Sequence, residues 1–106
     1  MTPALALEYL RELSVDIRAG VVLDAGGELL AGPPEVGDAA RDLFEQAGDA
    51  RELHVTTAGG AVFAVRDDRH ALVVACGHQA LASLLFYDLR VVLAELRDNG
   101  ARIEAA

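Results

Sequence analysis

The sequence predicts an α+β fold: a five-stranded antiparallel sheet with helices on both faces, in the order helix, two strands, helix, three strands, helix. Three observations predict it. Apolar residues change period along the chain, from helical spacing to alternation and back. Short segments rich in Gly and Asp separate the strand candidates, and such turns make antiparallel hairpins. The runs Ala61-Val62-Phe63-Ala64-Val65 and Ala71-Leu72-Val73-Val74-Ala75-Cys76 are apolar without a break. A strand with one wet face alternates, so unbroken apolar runs require cover on both faces.

Each element has its own signal. Thr2-Pro3 reads as an N-cap followed by proline at the first helical position. Leu5, Ala6, Tyr9, Leu10 and Leu13 then recur at helical spacing, which predicts a helix over residues 3–13. From Val15 the period becomes two: Val15, Ile17, Ala19, Val21 and Leu23 alternate with Asp16, Arg18, Gly20, Val22 and Asp24, a strand. Ala25-Gly26-Gly27 turns the chain into a short strand over residues 28–31. After the break at Gly32-Pro33-Pro34, a second helix is predicted over residues 36–47, with Ala40, Leu43, Phe44 and Ala47 as its apolar stripe and Gly48 as its stop. Residues 52–57, 61–66 and 70–76 are three further strands, turned by Ala58-Gly59-Gly60 and by Asp67-Asp68. Residues 79–98 favour a last helix, with Asn99-Gly100 as its C-cap and residues 101–106 as a tail. The whole reads as a single domain over residues 1–106, the usual domain size.

Composition narrows the function. Hydrophobic residues are 53% and charged residues 25%, a globular balance that excludes a disordered chain. The net charge is -8, so nucleic acid and anionic membrane surfaces are poor partners. All nine basic residues are Arg. Without Lys there is no Walker A or Schiff-base chemistry. Cys76 is the only cysteine, which leaves no internal disulfide. The first residues carry Glu8 and Glu12 and do not form a signal peptide, and no apolar run is long enough to span a bilayer. The expected location is the cytoplasm.

No catalytic set emerges. Ser14 and Ser83 stand outside any nucleophile elbow. Cys76, Gly77 and His78, with His54 and His70, make the one conceivable metal cluster, but Cys-x-His is not a standard ligand spacing and Cys76 ends an apolar strand. Asp67-Asp68 belongs at a hairpin tip. The glycine pairs lead into strands, whereas phosphate loops lead into helices. No cofactor, metal or catalytic residue is assigned, and the expectation is a non-enzymatic binding protein.

The layering leaves a deficit. If the first and last helices cover one sheet face, a single short helix with a narrow, alanine-rich stripe must cover the other. Residues 52–57 suit an edge strand, with His54 and Thr56 facing outward, and an open edge invites pairing. A second copy of the chain would supply both, with Ala40, Leu43, Ala47, His54 and Thr56 at the interface. The last helix is apolar nearly all round, which suits a central core helix; Phe86 and Tyr87 are the candidates on it for a partner contact.

The order of elements resembles the roadblock (dynein light-chain-like) family, whose fold is roadblock/profilin-like. The stretch Arg18-Ala19-Gly20-Val21-Val22-Leu23-Asp24-Ala25-Gly26-Gly27-Glu28-Leu29-Leu30-Ala31 is similar to that family's first hairpin. Gly60-Ala61-Val62-Phe63-Ala64-Val65-Arg66 and His70-Ala71-Leu72-Val73-Val74-Ala75-Cys76 resemble its later strands, and Phe86-Tyr87-Asp88-Leu89-Arg90 resembles the start of the final helix in actinobacterial members. The resemblance spans roughly residues 5–96. It implies homodimerisation through the second helix and the strand after it, and regulation of a Ras-like small GTPase. In that reading the polar face of the second helix, Asp38, Arg41, Asp42, Glu45 and Gln46, is offered to the GTPase. The rival expectations are a small-molecule or metal sensor using the sheet's histidines, and a purely structural assembly subunit.

Overall fold

A computed structural model of the chain describes residues 1–105, and the side chains of residues 1–98. The elements are α1 (Pro3–Leu13), β1 (Ile17–Asp24), β2 (Leu29–Ala31), α2 (Pro34–Ala47), β3 (Glu52–Thr57), β4 (Gly60–Arg66), β5 (His70–Cys76) and α3 (Ala82–Ala105). This is the expected α+β order. The strands form one antiparallel sheet in the order β2-β1-β5-β4-β3, so β3 is an edge as the sequence suggests. The neighbouring of β1 and β5, far apart in the chain, is what the local signals did not contain.

Helices cover both faces. Against α1 and α3 pack Val22, Phe63, Val65, Leu72, Val74 and Cys76 from the sheet. Against α2 pack Val21, Leu23, Ala64, Ala71 and Val73. Adjacent residues of β1, β4 and β5 thus point into two cores, which is why their sequences are apolar without a break.

The simple alternation expected over residues 15–23 fails in two ways. The strand starts at Ile17, and Val15 stands in the preceding turn, wholly exposed. The pairing of β1 with β5 then slips between Ile17 and Ala19. Such a bulge reverses the facing of every later side chain. Ile17 therefore faces α1 and α3, whereas Val21 and Leu23 face α2.

The helix ends show local chemistry. Thr2 caps α1, its Oγ1 accepting from the Leu5 amide at 3.2 Å. Gly48 ends α2 at φ 62°, a backbone that side chains rarely adopt. The last helix differs from expectation at both ends. Residues 78–81 are needed to cross from the sheet to its face, because the Gly77 amide is still tied to the Asp16 carbonyl at 3.1 Å. At the other end α3 runs through Asn99 and Gly100 to Ala105, so these residues are no C-cap and residues 101–105 are no tail; Ala106 lies outside the described residues. One glycine inside a helix costs about 1 kcal/mol, which the good helix formers Ala101 and Arg102 after it offset in part.

Candidate interaction surface

The second helix lies off-centre on its face of the sheet. It packs mainly on β1, and Gly37 admits the close approach of Leu29 from β2: a Cβ there would stand 3.1 Å from the Leu29 Cδ1. Two arginines fasten it. Arg41 Nη1 donates to the Gly27 carbonyl at 2.8 Å, tying the helix to the β1–β2 turn. Arg66 of β4 donates from Nε to the Ala50 carbonyl at 2.8 Å and from Nη2 to the Gly48 carbonyl, satisfying groups at the helix C-terminus. Its guanidinium also lies 4.5 Å over the Phe44 ring.

Held on the β1–β2 side, α2 leaves the β3–β4 side open. The result is an apolar cleft of about 380 Å³ lined by Val36, Ala39, Leu43, Val55, Val62 and Ala75 among others. It opens beside β3, whose outer edge has no strand partner among the described residues. The shortage of cover inferred from the narrow α2 stripe is therefore visible as a place.

The five expected interface residues do not all reach it. Leu43 lines the cleft, and Ala40 lines it from below as a buried core residue at 2% exposure. Ala47 is half-buried and lies outside the lining. His54 and Thr56 sit on the open edge strand but point to the opposite face. His54 is stacked on Phe63 at 4.3 Å, and Thr56 stands opposite Ala61, which packs with the α1–α3 core. Val55, which was not among the expected interface residues, does line the cleft. Its signal was present: Val55 alternates with His54 and Thr56, so it must face the other way, toward α2.

Of the five residues on the polar face of α2, Asp38, Asp42, Glu45 and Gln46 are exposed. Arg41 is half-buried and also paired with Asp38, so it belongs to the scaffold of the face. Phe86 does not lie open beside Tyr87: its ring packs edge-on against Phe63 at 5.4 Å, whereas Tyr87 is exposed. Across the same face Arg90 of α3 grips Glu52 of β3 with two bonds, at 2.5 and 2.7 Å. That pairing holds the Glu52 carboxyl below its ordinary range.

Cys76 and the histidines do not come together as one cluster. His70 and Cys76 are at opposite ends of β5, and His54 is committed to Phe63. Among the described residues no group of His, Cys, Asp or Glu is placed to hold a metal. Burial, and next the nearby charge of Asp16, push the Cys76 thiol up to about 11, so it is no ready nucleophile. His70 does line a second cleft, of about 320 Å³, where the β1–β2 turn, α2 and the β4–β5 turn meet with Arg41, Glu45 and Arg66. Its Nδ1 is buried with no hydrogen-bond partner among the described residues. No helix among the described residues is long and apolar enough to cross a membrane.

No protein-family model matches the sequence, and no curated protein does. Solved structures do match. A roadblock/LC7 domain from Streptomyces avermitilis has a TM-score of 0.72 at 18% identity, over 93% of this chain and 98% of that one. Myxococcus xanthus MglB has a TM-score of 0.72 at 11% identity, over 92% and 86% of the two chains. Profilin II of Acanthamoeba castellanii follows at 0.65 and 10% identity, over 93% and 99%. Identities this low speak for architecture alone, and the architecture agrees along nearly the whole chain: this protein has the roadblock-type, profilin-like fold.

Proposed function

We propose that the chain is a non-catalytic, cytoplasmic module that forms a homodimer and in that form binds and regulates a Ras-like small GTPase. One observation supports the dimer above others: the apolar cleft beside α2 opens directly onto the unpaired edge of β3. A second copy, adding its own β3 edge and α2, would extend the sheet and close both clefts together. Leu43 and Val55 would lie at the centre of that contact and Ala47 near its margin. Edge residues His54 and Thr56 would flank the strand pairing on the far face.

The GTPase is supported by the family resemblance and by the exposed polar face of α2. Asp38, Asp42, Glu45 and Gln46 are exposed to a partner, while Arg41, paired with Asp38, holds the helix that presents them. Rim charges of this kind set encounter and specificity more than affinity, so single changes there cost little. Calorimetry with the Ras-like GTPase encoded nearest in the genome tests the reading, first with a non-hydrolysable GTP analogue and then with GDP. Binding should be present in at least one state and fall about tenfold or more in Asp42→Arg with Glu45→Arg. Absence in both states ends the GTPase reading; indifference to the double reversal moves the site off α2.

Small-molecule sensing has one observation in its favour, the unpartnered Nδ1 of His70 in the cleft with Arg41 and Arg66. A metabolite screen by thermal shift separates it: a ligand of that cleft would raise the melting temperature of the wild type and not of His70→Ala.

A further inference from the structure

We propose that the cleft where α1 passes into β1 and α3 begins is a second docking site, for an apolar segment of another protein that carries a lysine or arginine. It lies at the α1–α3 side of the sheet, away from α2, and does not rest on the dimer or the GTPase. Leu13, Val15, Leu81, Leu84 and Leu85 line about 340 Å³ there. Val15 is 100% exposed, and Leu81 and Leu84 are 65% and 61% exposed. Leu81, just before α3, and Leu84 and Val91 within it keep helical spacing on the wet side while Leu85, Leu89 and Val92 fill the core. A helix needs one apolar stripe to fold; a second, solvent-facing stripe calls for cover from outside the chain.

The charges say what kind of cover. Asp16 and Asp88 stand in the same lining, with no basic side chain among the described residues that form it. Asp16 Oδ2 is buried and has no hydrogen-bond partner among the described residues. Arg18 makes no hydrogen bond to it: Nη1 donates to the Gly59 carbonyl at 3.1 Å, while Nη2 stands with the Asp16 carboxylate beside Gly77. The two carboxylates give the lining a negative charge, which a cation on an apolar segment complements while its neighbours cover the leucines. A second copy, of net charge -8, would bring more acid than base to this acidic lining, and the self-association readout below tests it. An anionic lipid surface is disfavoured for the same reason.

The probe is a labelled amphipathic peptide of about 18 residues, five helical turns, with Leu on one face and Lys on the other. It is titrated against the full chain at physiological salt, beside a counterpart with Glu for Lys. The Lys peptide should bind with a dissociation constant on the order of 10 μM and the Glu peptide should not. Asp16→Asn with Asp88→Asn should weaken binding about tenfold or more, and so should Leu81→Ser with Leu84→Ser. Asp38→Asn with Asp42→Asn makes the same charge change on α2 and should leave binding unaltered. Because the leucine pair is already exposed, its variant keeps the fold, which circular dichroism verifies. The proposal is overturned if the Lys peptide does not bind, or if the two charge pairs weaken it equally, which means attraction to net charge alone. It is also overturned if the leucine variant loses self-association, which makes the patch a contact between copies.

Discussion

Leu43 of α2 and Val55 of the edge strand β3 line the same apolar cleft, although they belong to elements that barely touch within the chain. Val55 is exposed and belongs to neither core cluster, whereas Leu43 is half-buried and packs against the α2 core. Charging Val55 should therefore break association while leaving the fold. Val55→Arg is expected to weaken the dimer about 100-fold, near 3 kcal/mol, with a native circular dichroism spectrum. Leu43→Arg should weaken the dimer too, with a loss of stability besides, because Leu43 also packs on the α2 core. Sedimentation over a concentration series reads both.

Arg41 ties α2 to the β1–β2 turn through the Gly27 carbonyl. Arg41→Ala should lower stability by about 1 kcal/mol, since the bond is charge-assisted but half-exposed. Its effect on partner binding should be smaller than that of the Asp42 and Glu45 double reversal. Denaturant melts beside calorimetry distinguish the two roles.

The Glu52–Arg90 pair predicts a pH dependence. The Glu52 carboxyl is held below 4.5, first by its hydrogen bond from Arg90. A carboxylate depressed in the folded state adds stability that is present above its unfolded value and is lost as pH falls through the folded one. The melting temperature of the wild type should thus fall below roughly pH 4.5 more steeply than that of Glu52→Gln. The difference should be small and shrink with salt, because the pair is at the surface.

Cys76 is buried, with its thiol pushed up to about 11 from 9.0. At pH 8 its thiolate fraction is about 100-fold below that of a free thiol. Alkylation by iodoacetamide should be at least that much slower in the native protein than in denaturant. Equal rates would show that the β5 end is open.

Gly32 sits at φ +103° between β2 and α2, and a Cβ there would lie 2.3 Å from the Gly20 carbonyl oxygen. Gly32→Ala combines an unfavourable backbone with a clash against β1. A loss of about 3 kcal/mol or more is expected in chemical denaturation, with no such loss for Gly59→Ala, where a Cβ meets nothing.

Much of this architecture was legible in the residues because it follows from local rules. The unbroken runs of β4 and β5 state two-sided burial, and Thr2-Pro3 and Gly48 mark helix ends by their own backbone chemistry. What was hidden depends on distant partners. The bulge beside Arg18 arises only when β1 pairs with β5, so the facing of Ile17 against Val21 could not be counted along the chain. The same limit applied to the site. Period two assigns His54, Val55 and Thr56 alternately to two faces, but only Phe63 and Phe86, brought in by β4 and α3, show which face takes His54. Arg41 reads as an exposed helix charge until the β1–β2 turn is placed beneath it.

We propose that two copies of this chain meet at the cleft between α2 and β3. Analytical ultracentrifugation of the wild type and Val55→Arg, at about 50 μM and at about 1 μM, tests it most directly. The wild type should be a dimer at the higher concentration and Val55→Arg a folded monomer at both. A wild type that is monomeric throughout, or a Val55→Arg that remains dimeric, would contradict it.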